Sequence, residues 1–117
     1  MDVVKLMHLQ TDPSSKVAHL DVRLQARTDS DSFYVHYHGV MKFDEAISNW
    51  VSRSKEAKST EFGDHEWFMS PRFETSSKEF KWIESAMFLG RGRCIVDGDE
   101  IAVEYEIFKV VNQRSSL

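Results

Sequence analysis

The sequence predicts a single, mainly antiparallel β domain spanning residues 1–117, on three observations. Apolar and polar residues alternate over 16–27 with the period of two that marks a strand. Asp97-Gly98 is a dipeptide typical of two-residue β-hairpin turns. The segments that join the predicted strands are mostly too short for the crossovers that parallel strands require. A length of 117 residues suits one domain with one hydrophobic core.

The remaining elements follow from local patterns. Asp44 is placed to cap a helix over 45–57, where apolar residues recur at helical spacing. Pro71 has no N–H to donate, so its strand is expected to lie at a sheet edge or to contain a bulge. A short helical turn is expected within 76–82, and the polar residues 112–117 are expected to form a flexible tail. The predicted strands are 3–9, 16–27, 33–41, 66–74, 85–96 and 101–111.

Composition narrows the class of protein. A hydrophobic content of 41% with 29% charged residues is ordinary for a globular domain. The net charge of −4 argues against nucleic acid and anionic membranes as partners. The single cysteine, Cys94, excludes an internal disulfide and favours a reducing compartment. No apolar run approaches the ~20 residues of a membrane span, and the start lacks a secretory signal, so we expect a cytoplasmic protein.

One face of the strand 16–27 is more polar than a buried sheet face should be. His19, Asp21 and Arg23 share this face, and Asp21 and Arg23 are close enough to form an ion pair. We interpret the face as the lining of a small-molecule pocket. A solvated outer face is an alternative that the pattern favours equally.

The next strand places Tyr34, His36 and His38 on one face at alternate positions. Histidines at this spacing could bind a metal ion or transfer protons near neutral pH. A third ligand at a clear spacing is missing from the sequence, so we expect no metal site. The alternative is a polar face with a hydrogen-bonded histidine.

Two further segments carry arginines. Arg72 and Glu74 lie on one side of a strand, and the planar guanidinium of Arg72 suits a carboxylate or a phenolate oxygen. The alternative is a salt bridge at the rim of the sheet. Arg91 stands between two glycines, which indicate a bent strand or close approach of a ligand. The spacing is not that of a phosphate-binding loop.

Aromatic residues are abundant along the chain, and most should belong to the core. A subset could line a cavity for a flat, hydrophobic ligand. The candidates for this subset are Trp67, Phe88 and Tyr105.

Two blocks of sequence resemble the domain of unknown function 3237 family. AHLDVRLQARTDSDSFYVHYHG, at 18–39, resembles its strand-turn-strand signature with D-x-R and R-T-x-D. FMSPRFETSSKEFKWIESAMFLGRGR, at 68–93, resembles its second signature, P-R-F-E-T followed by W and by F-x-G-x-G. The two blocks occur in the family's order, and the resemblance extends over about 16–111.

The resemblance implies a small calycin-like antiparallel β-barrel with one short helix. For the fungal natural-product branch of the family, it implies intramolecular hydroalkoxylation without a cofactor. In that reaction a phenol adds to the alkene of a prenyl group in a phenalenone-type polyketide and closes a cyclic ether. The small, prenylated aromatic molecule is then the partner, rather than nucleic acid or membrane.

Roles for this reaction follow from side-chain chemistry. Asp21 or Glu74 would donate a proton to the alkene, with its pKa raised by burial among aromatics. Arg23, Arg72 or Arg91 would hold substrate oxygens, and His36 or His38 would accept the phenol proton. The expected substrate-binding residues are His19, Tyr34, His38, Trp67, Phe88, Arg91 and Tyr105.

Two other classes of function remain open, a non-catalytic barrel that binds a hydrophobic aromatic metabolite and a structural subunit. Family members commonly carry further N-terminal strands with a GG-x-x-x-GP segment, which is not found ahead of the first block here. We therefore expect either a barrel of fewer strands or a homo-oligomer in which a second subunit covers the open edge. The two signature blocks are expected to face each other across the barrel interior.

Overall fold

The structure, a computed structural model, describes residues 2–12 and 16–114, with side chains described from residue 16 onward. Six strands form one antiparallel sheet in which each strand pairs with its neighbours in sequence. This confirms the predicted mainly β, antiparallel class with one short helix. In chain order, the elements are β1 (Asp2–Asp12), β2 (Val17–Arg27), β3 (Ser32–Lys42), α1 (Glu45–Val51), β4 (Trp67–Thr75), a 3₁₀ turn (Lys81–Ser85), β5 (Phe88–Asp97) and β6 (Glu100–Lys109).

The sheet is not closed into a barrel within the described part of the chain. Its strand order runs from β1 to β6, which makes these two strands its edges. Residues 112–114 of the predicted tail have no regular structure, and 115–117 lie outside the described residues. Among the helices that the structure describes, none is long and apolar enough to cross a membrane.

The core covers the face of the sheet that carries the apolar residues of β2. Ala18, Leu20 and Val22 are buried there, as the alternation predicted. The residues opposite them in β3 and β4 continue the same face, because paired residues of adjacent strands point to the same side. The buried core cluster consists of Ala18, Leu20, Val22, Tyr37, Met41, Ile47, Trp50, Trp67, Met69 and Cys94.

Helix α1 covers one end of this core and is shorter than predicted. Asp44 caps it as expected, its Oδ1 accepting the Ile47 N–H at 2.8 Å. Ile47 and Trp50 are buried, and the Trp50 indole donates to a carbonyl of β5. The helix ends at Val51 rather than at residue 57. Residues 52–56 are all polar or charged, so a longer helix would have had no apolar side chain to pack in its next turn.

A chain of hydrogen bonds ties the loop after α1 to the helix and to β5. The second oxygen of Asp44, Oδ2, lies 2.5 Å from Nδ1 of His65. The other ring nitrogen of His65, Nε2, lies 2.8 Å from the Thr60 hydroxyl, which accepts the Cys94 N–H at 3.0 Å. Because a carboxylate only accepts, Nδ1 carries the proton, and Nε2 accepts from the hydroxyl. One carboxylate therefore serves both the helix cap and a buried histidine.

Strand β4 separates from β5 halfway along its length. The two strands pair only at Phe68↔Arg91 and Met69↔Gly90, whereas β4 pairs with β3 from end to end. Pro71 follows directly after the separation, in a half of β4 where the β5 side of the strand has no ladder. The prediction of an edge or bulged strand therefore holds for this half of β4, although the whole strand lies inside the sheet order.

The 3₁₀ turn fills the gap between the separated halves of β4 and β5. Glu84 accepts the Thr75 N–H at 2.9 Å, and Lys81 donates to the Thr75 carbonyl at the same distance. Phe73 and Phe88 pack edge to face beside it, with ring centroids 5.3 Å apart. The turn thus supplies hydrogen-bonding partners to the end of β4 that β5 does not reach.

Candidate functional site

The polar face of the sheet is built from rows of residues paired across three strands. Each row takes one residue from β2, one from β3 and one from β4, and all of them point away from the core. The rows are Asp21–His38–Ser70, Arg23–His36–Arg72 and Gln25–Tyr34–Glu74.

This arrangement corrects how the two sequence blocks were expected to meet. The blocks lie side by side on one continuous face rather than opposite each other across a barrel interior. The face is also less buried than expected: side-chain exposure is 24% for His36, 35% for Asp21, 38% for Arg23 and 70% for His38. The reason is that the apolar core lies on the other side of the sheet, and no second layer covers the polar side within residues 16–114.

Asp21 lies at the centre of the polar face. Its Oδ1 accepts from His36 Nε2 at 2.7 Å, and the predicted pair with Arg23 is present, with Nη1 at 3.3 Å. His38 Nε2 lies 3.7 Å from the same oxygen. Because the carboxylate accepts, the neutral form of His36 in this hydrogen bond carries its proton on Nε2 and has its lone pair on Nδ1. The result is an Asp–His pair with one basic nitrogen available.

The charge state of Asp21 contradicts one expected role. The hydrogen bond from His36 is the largest influence on the Asp21 carboxyl and holds its pKa below the usual range. Burial acts in the opposite direction, and the Arg23 guanidinium adds a smaller lowering. The prediction of a pKa raised by burial among aromatics was wrong, because Asp21 is surrounded by hydrogen-bond donors and cations. Asp21 is ionised at neutral pH and therefore cannot donate the proton there.

An open cleft of about 940 Å³ lies beside this pair. Four predicted site residues line it: Arg23, His36, Arg72 and Glu74, and so does the predicted ligand-binding Tyr34. The remaining lining includes the segment around the 3₁₀ turn, with Lys81, Glu84 and Ala86. The sequence patterns gave no reason to include these three, because they approach the cleft only through the separation of β4 from β5.

Hydrogen bonds at the cleft wall fix the charge of Glu84. The Thr75 N–H and the Lys81 ammonium both donate to its carboxylate, which lowers the pKa of Glu84. Arg72, by contrast, has no ion-pair partner among residues 16–114. Its guanidinium is therefore the cation of the cleft that is best placed to bind an anionic group.

The predicted aromatic platform lies elsewhere. Trp67 is 2% exposed and Phe88 is buried, both on the core side. Tyr105 packs edge to face on Trp67, and its hydroxyl donates to Tyr37 at 3.1 Å. Burial raises the pKa of both phenols. These aromatics pack the core face, and their placement contradicts a role in stacking on a ligand of the polar cleft.

Three other predicted contacts also fall outside the cleft. His38 lies beside the Asp–His pair but does not line the cleft. His19 is exposed on β2, in a row with Val40 of β3 rather than with the Asp–His pair. Arg91 donates to the Glu106 carboxylate at 2.8 Å and lies near the Phe62 ring. The charge of Arg91 is thus already balanced within the sheet. Neither His19 nor Arg91 lines the cleft, so neither joins the candidate site.

The sequence argument against a metal site rested on the lack of a third ligand. The structure supplies one, because antiparallel pairing brings Asp21 of β2 next to His36 and His38 of β3. One ligand atom from each of these three residues lies within 4.8 Å of the others. The sequence separation of 15 residues between Asp21 and His36 carries no metal-binding signature, which explains why spacing alone missed it.

Residues 8–110 match the family described as protein of unknown function (DUF3237). The chain belongs to this family. No curated protein matches the chain.

Solved structures share the fold at low sequence identity. A protein of unknown function from Clostridium acetobutylicum ATCC 824 aligns with a TM-score of 0.60 and 18% identity, over 92% of this chain and 66% of its own. A beta-barrel like protein from Acinetobacter baumannii AYE aligns with a TM-score of 0.57 and 16% identity, over 91% of this chain and 63% of its own. A conserved protein of unknown function from Rhodopseudomonas palustris aligns with a TM-score of 0.66 and 17% identity, over 90% of this chain and 66% of its own. The chain spans about two thirds of the length of these structures.

Proposed function

We propose that this DUF3237 chain is a cofactor-independent cyclase that catalyses intramolecular hydroalkoxylation, in the fungal natural-product branch of the family. Its substrate would be a prenylated phenol of the phenalenone polyketide type. The observation that carries the proposal is the 2.7 Å hydrogen bond between His36 Nε2 and Asp21 Oδ1 beside an open cleft that also holds Arg72. The resemblance of the two sequence blocks supplies the reaction class.

The reaction is a redox-neutral isomerisation. The phenol O–H bond and the alkene π bond break, while a C–O bond and a C–H bond form. The protein therefore needs to move one proton from oxygen to carbon and to hold the two reacting groups together. No electron acceptor and no second reactant enter the balance.

His36 is the proposed proton-transfer group. Asp21 holds the proton on Nε2, so Nδ1 can accept the phenol proton, and the carboxylate stabilises the imidazolium that forms. Asp21 itself stays ionised, so it orients and stabilises the ring rather than protonating the alkene. The imidazolium delivers the proton to the alkene carbon and returns to the neutral ring. If Glu74, whose carboxyl lines the same cleft, is the donor instead, the imidazolium reprotonates it, so both groups end the cycle as they began.

Arg72 is the proposed anchor for the developing phenolate. It stands next to His36 in the strand register, and both side chains line the cleft. A guanidinium close to the oxygen stabilises negative charge as the proton leaves. Arg23 has the secondary role of holding Asp21, to which it donates at 3.3 Å.

Turnover of a prenylated phenol tests this proposal. The product has the mass of the substrate and a different retention time, and in D₂O it should carry one deuterium at the protonated carbon. We expect His36→Ala to lower kcat by about 10²–10⁴-fold, the range of general acid–base catalysis. Asp21→Asn and Arg72→Ala should also lower it. Arg27→Ala, an exposed arginine of β2 outside the cleft, is the matched control.

Wild-type rates in both His36→Ala and Arg72→Ala would show that the site is wrong. A second function is favoured by the cleft volume, which lies within the usual range for small-molecule pockets. A non-catalytic protein that binds a hydrophobic aromatic metabolite would bind the prenylated phenol without converting it. In that case Arg72→Ala would weaken binding of the prenylated phenol. Neither the wild type nor any variant would form the cyclised product faster than the uncatalysed background reaction.

Homo-oligomerisation stays a prediction. β6 is an edge strand, and Phe108 of this strand and Leu89 of β5 are each about half exposed on one face. Sedimentation velocity on the untagged protein tests it. A dimer should dissociate when Phe108→Asp places a charge on this face, and a monomeric wild-type protein at high concentration would contradict the prediction.

A further inference from the structure

We propose that Asp21, His36 and His38 form a binding site for a divalent transition-metal ion such as Zn²⁺, and that the ion inhibits the cyclase. The inhibitory part rests on the proposed function, whereas the binding part rests on geometry alone. The site uses the same Asp–His pair as the reaction, with His38 as an additional ligand.

The three ligand atoms converge because of strand register. Asp21 of β2 lies directly opposite His38 of β3, and His36 is two residues along the same side of β3. Asp21 Oδ1 lies 2.7 Å from His36 Nε2 and 3.7 Å from His38 Nε2, and all three ligand atoms fit within 4.8 Å. Two rigid neighbouring strands therefore present two imidazoles and one carboxylate to one point.

These separations are close to those of an occupied site. Zinc binds nitrogen and carboxylate oxygen at about 2.0–2.2 Å, which at the tetrahedral angle places neighbouring ligand atoms about 3.3–3.6 Å apart. The His36–Asp21 separation of 2.7 Å would have to widen by about 0.6–0.9 Å, and the His38–Asp21 separation of 3.7 Å would have to shorten by about 0.1–0.4 Å. His38 is 70% exposed, so its ring can rotate into place without disturbing the core.

The donor set selects the class of metal. Two imidazoles and one carboxylate suit zinc, nickel, copper and cobalt, whereas magnesium and calcium prefer oxygen ligands. The open side of the face leaves room for water in the remaining positions. Arg23, which donates to the same Asp21 oxygen at 3.3 Å, opposes the cation and has to release or share that oxygen. We therefore expect moderate affinity rather than a permanently bound ion.

Metal binding would block the proton transfer assigned to His36. The ion replaces the proton on Nε2, and the neutral ring then carries its proton on Nδ1. The basic nitrogen that was to accept the phenol proton is lost, and Asp21 becomes a metal ligand instead of the partner of an imidazolium. No oxidation or reduction is involved.

Calorimetric titration of the untagged, metal-free protein with Zn²⁺ tests the binding part. We expect saturable 1:1 binding that His38→Ala weakens by at least about tenfold. His19→Ala, which removes an exposed histidine from the same face outside the cluster, is the matched control and should leave the affinity unchanged. His38→Gln, which keeps the bulk of the side chain, should behave as His38→Ala does. Absence of binding, or equal affinity in wild type and both His38 variants, would overturn the site.

Inhibition is measured separately, with each protein compared with its own metal-free rate. Zn²⁺ should inhibit the wild type at the concentrations that saturate the calorimetric site, and inhibition of His38→Ala should require at least about tenfold more. If the wild type binds Zn²⁺ but does not convert the prenylated phenol, the metal site is supported and the proposed function is contradicted. Turnover that Zn²⁺ does not affect at saturation would refute the regulatory part.

Discussion

Replacing Asp44 tests whether one carboxylate holds both helix α1 and the following loop. Its Oδ1 accepts from the Ile47 N–H at the helix start, and Oδ2 contacts His65, whose side chain is only 1% exposed. Loss of an N-cap costs about 1 kcal/mol, within a range of about 0.5–2. Leaving the buried His65 donor unsatisfied costs about 1–3 kcal/mol more. We therefore expect Asp44→Ala to lower the free energy of unfolding by about 2–4 kcal/mol.

A serine at the same position separates the two contributions. Asp44→Ser keeps a good capping oxygen but is too short to reach His65, so it should cost about 1–3 kcal/mol. The difference between Asp44→Ala and Asp44→Ser should then be about 1 kcal/mol, the value of the cap. Asp29→Ala, which removes an exposed carboxylate from the β2–β3 turn, is the matched control and should change stability by no more than about 0.5 kcal/mol.

Urea unfolding followed by tryptophan fluorescence measures these differences, with m-values compared to check that the unfolding reaction is the same. The double variant with His65→Ala completes a cycle, in which the removal of Asp44 should cost clearly less once the histidine is gone. A loss in Asp44→Ala no larger than that in Asp29→Ala, or full additivity in the cycle, would refute the coupling.

Two further predictions concern packing and pH. Gly92→Ala would place a methyl group 2.7 Å from the ring of Trp67, which is held by neighbouring aromatics, and should lower the free energy of unfolding by about 2–3 kcal/mol. In Gly90→Ala the methyl group meets a flexible methionine sulfur at the same distance, so the loss in the same urea assay should be smaller. Equal losses would contradict this packing argument. His36→Ala removes the main cause of the lowered pKa of Asp21, so ¹³C NMR titration of the carboxyl should show its pKa rising towards the ordinary 3.8. A carboxyl whose pKa is lowered by folding stabilises the fold at pH values above its unfolded pKa, and this stabilisation is lost as the pH falls through its folded pKa. The wild type should therefore lose more stability than His36→Ala below about pH 4. An unchanged Asp21 titration in His36→Ala would contradict the assignment.

Local patterns were sufficient for most of the sheet. The alternation of 16–27 identified β2 and assigned Ala18, Leu20 and Val22 to the core, because a strand turns successive side chains to opposite faces whatever lies around it. Asp97-Gly98 located the β5–β6 hairpin, although the prediction was one residue early. The two turn residues are Gly98 and Asp99, because Asp97 still pairs with Glu100, and Gly98 supplies the positive φ that a tight hairpin requires. The helix end was misplaced, because it depends on whether a further turn has anything to pack against.

The site could be predicted only as a set of residue types. Its polar side chains were named from the sequence, but the sequence did not show that His36 would share an oxygen of Asp21 with Arg23, because strand register decides which residues meet. Likewise, His65 went unnoticed, since its partners Asp44 and Cys94 lie 21 and 29 residues away.

The sequence by itself therefore determined the strands, their faces and the polar character of one side, because each depends on a few adjacent residues. The tertiary structure decided that this side is partly exposed, that Asp21 is ionised rather than protonated, and that Trp67 belongs to the core. These properties depend on which groups approach through space, and burial and hydrogen bonding from distant parts of the chain set the energy of each charge.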